Sequence, residues 1–445
     1  MSLSAREESL IRKGQEALGD RASADETNRA YYEGSQRLAH IGLAVPPELR
    51  KFELVVNWPR VTVDTIEQRQ DVKSILVPSD DALADRLRVV WDANNMESEL
   101  PLFNRDKLVY GRSFLSVGTN EESREHPLIR VESPTQVTVK VDPYKQKIDY
   151  AVRLAPLDAS GMPTMATLYT PMETVVARYS AGRWVEVDRD VHNVGRVPIF
   201  PSFNRRMTGE WFGRTEMADI IPITDAAART MTNLQVAVES VGVPKRWIFG
   251  VKPTDFVKKD GSSQTEWESY LYSVWANPNK DVKAGQFPSA DLSNFHDTVE
   301  LYGKLAASLT GFPARYFGLN TTNPPAEGAI RAEESQLVKT TERKNSEAGA
   351  TLGAALAFAG KIATGKSVHS GLVNLRWHDP ATPTFSQRAD ALQKLAGGIP
   401  IISREGAWDE LGWDDARKKQ EQHYFDEQVR LPGLEALNMK VSAYE

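Results

Sequence analysis

The sequence predicts an α+β chain. Apolar residues recur at helical spacing in both halves, at Leu83, Leu87, Val90 and Trp91 and again at Leu292, Phe295, Val299 and Tyr302. Between Arg112 and about Asn204 the pattern switches to short β runs such as Val137-Thr138-Val139-Lys140-Val141. A second, mainly helical half follows, with one β-rich interruption. Helices and strands thus occupy separate stretches of chain, the α+β arrangement rather than a doubly wound one.

Taken in order, the first thirty-odd residues read as two short helices broken near Gly19-Asp20. After Tyr31-Tyr32-Glu33-Gly34 comes an irregular stretch through Val45-Pro46-Pro47, then Asn57-Trp58-Pro59. Asp80 is placed to cap the helix carrying Leu83 to Trp91, because its carboxylate can accept from a free amide of the first turn. A helix around Pro101–Tyr110 ends at Gly111. Thr167–Thr170, Thr174–Tyr179 and Trp184–Val187 look like an antiparallel meander turning at Ser180-Ala181-Gly182. A helix from about Thr215 to Val241 carries Met217, Ile220, Ala227, Met231, Leu234, Val238 and Val241 on one stripe. Pro222 either kinks its first turn or marks its true start. Residues 242–290 form a small β-containing module. Asp291–Leu309 is a second helix, with Leu305 and Leu309 continuing its stripe, and a Pro-rich polar loop leads to a long helix from Ala326 to about Lys361.

Composition excludes several functions. The 445 residues carry no Cys, so disulfides and thiolate metal sites are impossible. The net charge is −6, whereas a protein that grips duplex DNA by its phosphates needs a basic excess. A surface along which DNA slides is a different case, because tight phosphate contacts act as a brake. No apolar run reaches bilayer length, and the N-terminus lacks a signal-peptide stretch.

The order helix, small module, helix, loop, long helix is the most informative feature. Two amphipathic rods flanking a compact module make a stalk whose apolar stripes need cover. Copies standing side by side with a fixed rotation bury them and close a ring.

That order, with its local wording, resembles the phage portal proteins, specifically the Gp6-like family of siphophage and actinophage portals. The residues carrying the match are Tyr31-Tyr32-Glu33-Gly34, Asn57-Trp58-Pro59 with Val61 and Val63-Asp64, and Phe212-Gly213-Arg214-Thr215-Glu216. They continue with Leu309-Thr310-Gly311-Phe312-Pro313, Asn323-Pro324-Pro325-Ala326-Glu327-Gly328-Ala329-Ile330, and Arg376-Trp377-His378-Asp379-Pro380. The resemblance implies a portal fold. A wing spans residues 1–214 and 327–385, the latter a long kinked helix with strands. Stem helices cover 215–241 and 291–310, a small α/β clip 242–290, a tunnel loop 311–326 and a helical crown 386–445.

It also implies function: a homo-oligomeric ring of twelve subunits at one capsid vertex of the virion, assembled in the host bacterial cytoplasm. Double-stranded DNA passes through its channel during packaging and ejection. Partners are the terminase, the head-completion or adaptor proteins, and the major capsid or scaffolding protein, with no membrane, cofactor, metal or catalytic residue. The candidate DNA-facing tunnel-loop residues are Asn320, Thr321, Thr322 and Asn323, uncharged groups able to make exchangeable phosphate contacts. Plain turn propensity explains the same residues without DNA. Partner- or DNA-facing clip candidates are Lys245, Arg246, Lys252, Lys258 and Lys259; a solvated basic face is the plainer account of them. Stem subunit contacts fall to Met231, Leu234, Val238, Phe295, Val299 and Tyr302.

Other features are weaker. Gly360-Lys361-Ile362-Ala363-Thr364-Gly365-Lys366-Ser367 formally matches a P-loop, and a P-loop NTPase using Lys366 and Ser367 is the alternative function. A cradle needs a strand before it and a helix after it, and here the order is reversed. A minor capsid or adaptor protein without a channel is the other alternative. Arg205-Arg206 reads as an ion-pairing turn, and Glu333-Glu334 and Asp414-Asp415 as solvated faces. Gly349 and Gly353 permit either close backbone approach or a bend.

Overall fold

The computed structural model describes residues 3–36, 54–78, 80–123, 125–159, 161–241, 246–249, 283–286, 292–319, 327–381, 385–397, 400–413 and 416–427. Two compact units result, Met1–Pro380 and Ala381–Glu445.

Helix α1 (Ala5–Glu33) is continuous, so the expected break at Gly19-Asp20 is absent. A capping box starts it. The Glu7 amide donates to Ser4 Oγ at 3.3 Å, and the Ser4 amide donates to the Glu7 carboxylate at 2.7 Å. Gly19 sits where nothing packs, and the helix ends instead at Gly34, in the left-handed conformation at φ 73°. One mid-helix glycine costs only about 1 kcal/mol relative to Ala, less than packing α1 on a sheet returns.

That sheet is an antiparallel meander of β4 (Val137–Asp142), β5 (Lys147–Leu154), β6 (Met165–Tyr169), β7 (Thr174–Ser180) and β8 (Arg183–Asp190). Its pleat sends Val152, Leu154, Ala166, Leu168, Val175 and Ala177 against Ile11 of α1. Gly14 lies so near Val152 that an added Cβ would come within 2.6 Å of it. Val137, Val139 and Val141 face the other way, onto Phe114 and Ile199.

A second sheet has the order β3 (Leu128–Glu132), β2 (Arg112–Gly118), β9 (Ile199–Phe203). It packs with α3 (Asp81–Ala93), α4 (Met96–Tyr110) and the latter part of the long helix over Leu87, Trp91, Phe103, Leu115, Phe200, Leu352 and Leu356. Asp80 caps α3, accepting from the Leu83 amide at 3.0 Å. α4 starts five residues before the expected Pro101 and ends at Gly111. β1 (Val72–Leu76) pairs antiparallel with β12 (Asn374–Trp377), close against the long helix. Close approach decides the glycines there: a Cβ on Gly353 would sit 2.7 Å from the Val373 carbonyl.

Helix α2 is Trp58–Glu67, and α5 runs Ile221–Val241, later than Thr215, with Pro222 in its first turn where its missing N–H costs nothing. The short strands β10 (Arg246–Phe249) and β11 (Lys283–Gln286) pair antiparallel beyond it. Helix α6 (Ser293–Thr310) returns, and α7 (Glu327–Thr364) is the long helix. The start of α5 and the end of α6 share one core with Trp58, Phe312, Phe317 and Leu337, so the two rods run antiparallel from a common root. In the second unit, α8 is Phe385–Ala396 and α9 is Arg404–Leu411, with Trp408 stacked between Trp413 and Phe425.

Candidate functional site

Four of the segments that carry the family resemblance, those at residues 31–34, 57–64, 212–216 and 309–313, meet at the root of the α5–α6 rod pair. Tyr31 donates to both Asp225 oxygens at 2.9 Å, tying α1 to the first turns of α5. Tyr32 donates to Asp64 at 2.8 Å, and the Asn57 side-chain amide donates to the Tyr32 carbonyl at 3.3 Å beneath Gly34. Burial, then the carboxylate partners, push both phenols up to about 12. Trp58 meets Phe317 edge to face at 5.9 Å.

Phe212-Gly213-Arg214-Thr215-Glu216 brings the chain across Asn204 and Gly111 at contact distance. The Asn204 amide donates to the Gly111 carbonyl and the Arg214 amide to the Asn204 carbonyl, both at 2.9 Å. Gly111 has φ 76°, and a Cβ there would strike Gly213 and Arg214 backbone within 2.8 Å, so only glycine fits. Thr215 then donates to the Leu108 carbonyl at 3.2 Å.

Glu216 is the polar centre of this root. Lys344 of α7 donates to Glu216 at 2.7 Å and to Asn204 Oδ1 at 2.6 Å, while Asn204 Nδ2 donates to Glu216 at 2.9 Å. Burial alone would raise the Glu216 pKa, but the Lys344 ammonium and these hydrogen bonds hold it below the usual carboxylate range. Lys107 is fully buried beside them and donates to the Lys344 carbonyl at 3.4 Å. Burial, reinforced by the Lys344 charge, pushes Lys107 down to about 7.

The chain leaving α6 is clamped before its polar loop. Gly311 caps the helix at φ 70°, and Phe312 and Phe317 are buried. Arg315 pairs with Glu333 at 2.9 Å and with Glu334, Tyr316 donates to Glu334 at 2.9 Å, and Arg69 donates to the Tyr316 hydroxyl at 3.1 Å. The solvated-face reading of Glu333-Glu334 is therefore corrected, since both anchor this turn to the start of α7. Arg205 does pair, with Asp219 at 2.7 Å, and Arg206 stacks 4.2 Å over Trp211.

Met231, Leu234, Phe295, Val299 and Tyr302 are half-buried, and Val238 is exposed. A row missed in part lies on α6. Leu301, Leu305 and Leu309, four residues apart, are 53%, 44% and 57% exposed. Leu301 falls off the stripe the spacing picked out, so only the packed rods reveal it. Arg246 lies in β10 opposite Gln286. Lys245, Lys252, Lys258 and Lys259, Asn320 to Asn323, and Asp414-Asp415 lie outside the described residues. The formal P-loop match does not have the strand–loop–helix order: Gly360 to Thr364 end α7, and Gly365 follows in the left-handed conformation at φ 71°, with its amide donating back to Lys361. Only a single 3-10 turn, Ser370–Leu372, and then strand β12 come after it, where a phosphate cradle needs a full helix. Among the described residues no helix is long and apolar enough to cross a membrane.

The family model for phage portal proteins of the SPP1 Gp6-like type matches residues 20–430. The chain is 34% identical to the portal protein of Mycobacterium phage L5, covering 98% of this chain and 91% of that one. It is 35% identical to the portal protein of Mycobacterium phage D29, covering 94% and 88%. A chain from the neck of a native gene transfer agent particle superposes with TM-score 0.44 at 14% identity, covering 84% of this chain and 94% of that chain. With the family model matching most of the chain and a relative 34% identical over nearly all of it, the chain belongs to the phage portal protein family, SPP1 Gp6-like.

Proposed function

We propose that copies of this chain stand side by side through the α5–α6 rods and close a ring of twelve, whose axis is a channel for double-stranded DNA. The exposed row Leu301, Leu305 and Leu309 carries this reading. It runs along one rod and stays about half exposed among the described residues, and burying a leucine contributes roughly 1.5–3 kcal/mol. A repeated head-to-tail contact forms a ring when its rotation closes on itself.

In this reading the module 242–290 projects as the docking clip for the terminase during packaging and for head-completion proteins afterwards. ATP hydrolysis belongs to the terminase, and this chain is not an enzyme. The loop 311–326, rooted through Arg315 and Tyr316, lines the channel with the uncharged Asn320, Thr321, Thr322 and Asn323. Residues 386–445 face the capsid interior, where scaffolding or major capsid protein meets the ring. The net charge of −6 fits a wall along which DNA slides. Assembly takes place in the host bacterial cytoplasm and the ring ends at one vertex of the virion.

Negative-stain imaging with native mass measurement of the full chain tests this. Rings with a central hole are expected. A stable lone subunit would sink the proposal, and closed particles without a hole would favour an adaptor role.

A further inference from the structure

Beside the joint between Lys344 and Glu216, the contact of α4 with α7 holds a second set of polar side chains. Gln70, Asn104, Lys107 and Asn345 are all buried. Hydrogen bonds link them into one frame. The Gln70 side-chain amide donates to Asn345 Oδ1 at 2.9 Å, and Asn104 Nδ2 donates to the Gln70 carbonyl at 3.5 Å. Lys107 donates at 3.4 Å to the carbonyl of Lys344, the chain neighbour of Asn345. Asn104 and Lys107 stand three residues apart on α4 and so share a face of it.

The frame is unbalanced within itself. Gln70 Oε1 and Asn104 Oδ1 are shielded from solvent and accept no hydrogen bond. Lys107 has three N–H donors and makes one hydrogen bond among the described residues, beyond the roughly 2.7–3.2 Å of a well-made one. Buried amide oxygens and ammonium groups in that state are costly, and folded chains give them partners. Two oxygens here lack donors, and the lysine lacks acceptors.

That combination selects the ligand. An anion would serve Lys107 but meet two amide oxygens that need donors. A metal cation would suit the oxygens but meet the Lys107 ammonium, with the Lys344 charge also acting there. Only a molecule that both donates and accepts answers every demand, and water does so with the fewest atoms.

We propose that one internal water molecule is bound in this frame. Its two O–H groups donate to Gln70 Oε1 and Asn104 Oδ1, and its oxygen accepts from Lys107 Nζ. Three hydrogen bonds is the usual number for a buried water. The water ties α4 to the chain entering β1, next to the α7 residue that holds Glu216. The proposal is independent of ring formation.

A crystal or electron-microscopy map of the full chain, at a resolution that places ordered water, tests it. A peak is expected about 2.5–3.2 Å from each of Gln70 Oε1, Asn104 Oδ1 and Lys107 Nζ. Absence of the peak would overturn the proposal, whether or not Lys107 then bonds directly to either oxygen. So would an anomalous signal at that point from crystals grown in bromide or rubidium salts, which would assign an ion. Where the map falls short of placing water, a double-variant cycle in urea decides. Gln70→Leu and Lys107→Met remove side chains that share no direct hydrogen bond, yet their midpoint shifts should be non-additive through the common water. Asn104→Leu replaces Gln70→Leu if the latter does not fold. Additive shifts would overturn the proposal.

Discussion

Lys344, in the middle of the long helix, lies 2.7 Å from Glu216 at the entrance to the first rod. Both are buried, and Asn204 completes the contact from the strand edge. The long helix is thereby fastened to the root from which the α5–α6 pair projects.

Lys344→Ala leaves the Glu216 carboxylate buried and without its cation. Loss of about 3–5 kcal/mol is expected, read as a lower urea midpoint of the dispersed chain. The double variant Lys344→Met with Glu216→Leu should recover most of it, because no charge is then stranded. Equal losses in the single and double variants would show that packing, not the ion pair, holds the joint.

Lys107 sets a pH dependence of defined sign. Its folded pKa is near 7, against 10.5 in the unfolded chain. Between those values the unfolded chain holds a proton that the folded chain releases, so stability rises with pH by up to about 1.4 kcal/mol per pH unit. Below pH 7 the penalty is fully present. Asp106, raised by burial to about 7 from 3.8, acts oppositely, lowering stability as pH climbs through that lower window. Lys107→Met should stabilise at neutral pH by roughly 1–4 kcal/mol and flatten the curve above it. Denaturation series at pH 6, 7.5 and 9 would show this, and an unchanged slope would refute it.

Arg112 and Asp25 join α1 to β2 through two parallel hydrogen bonds of 3.0 and 2.6 Å in a site closed to water. Asp25→Ala should cost about 3–5 kcal/mol, with α1 released first. Amide hydrogen exchange across Ala5–Glu33, faster than in the α4 core, would report that release.

Leu305→Glu places a charge in the middle of the exposed row on α6. Rings should fall apart to single subunits that keep the wild-type circular dichroism, because the side chain contributes little inside its own subunit. Rings surviving at micromolar concentration would remove that row from the interface.

Local rules made much of the architecture legible. Asp80 before Leu83, Gly111 after Tyr110 and Pro222 near the start of α5 each mark an element boundary by backbone chemistry that needs no partner. The alternation through residues 137–190 likewise needs only its own pleat. Gly19 misled because its local cost is small beside the burial of α1 on the meander, which depends on residues more than a hundred positions away.

By itself, then, the sequence determined the class, the order of elements, the paired rods and the family to which they belong. Only the tertiary structure decided that Glu216 is held by Lys344, that Glu334 anchors the turn at Arg315, and that Leu301 belongs to an exposed row. Capping and periodicity act over a few residues and are written where they act. Charge pairing and burial depend on which distant segments the fold brings together, and a carboxylate destined for solvent reads the same as one destined for a buried lysine.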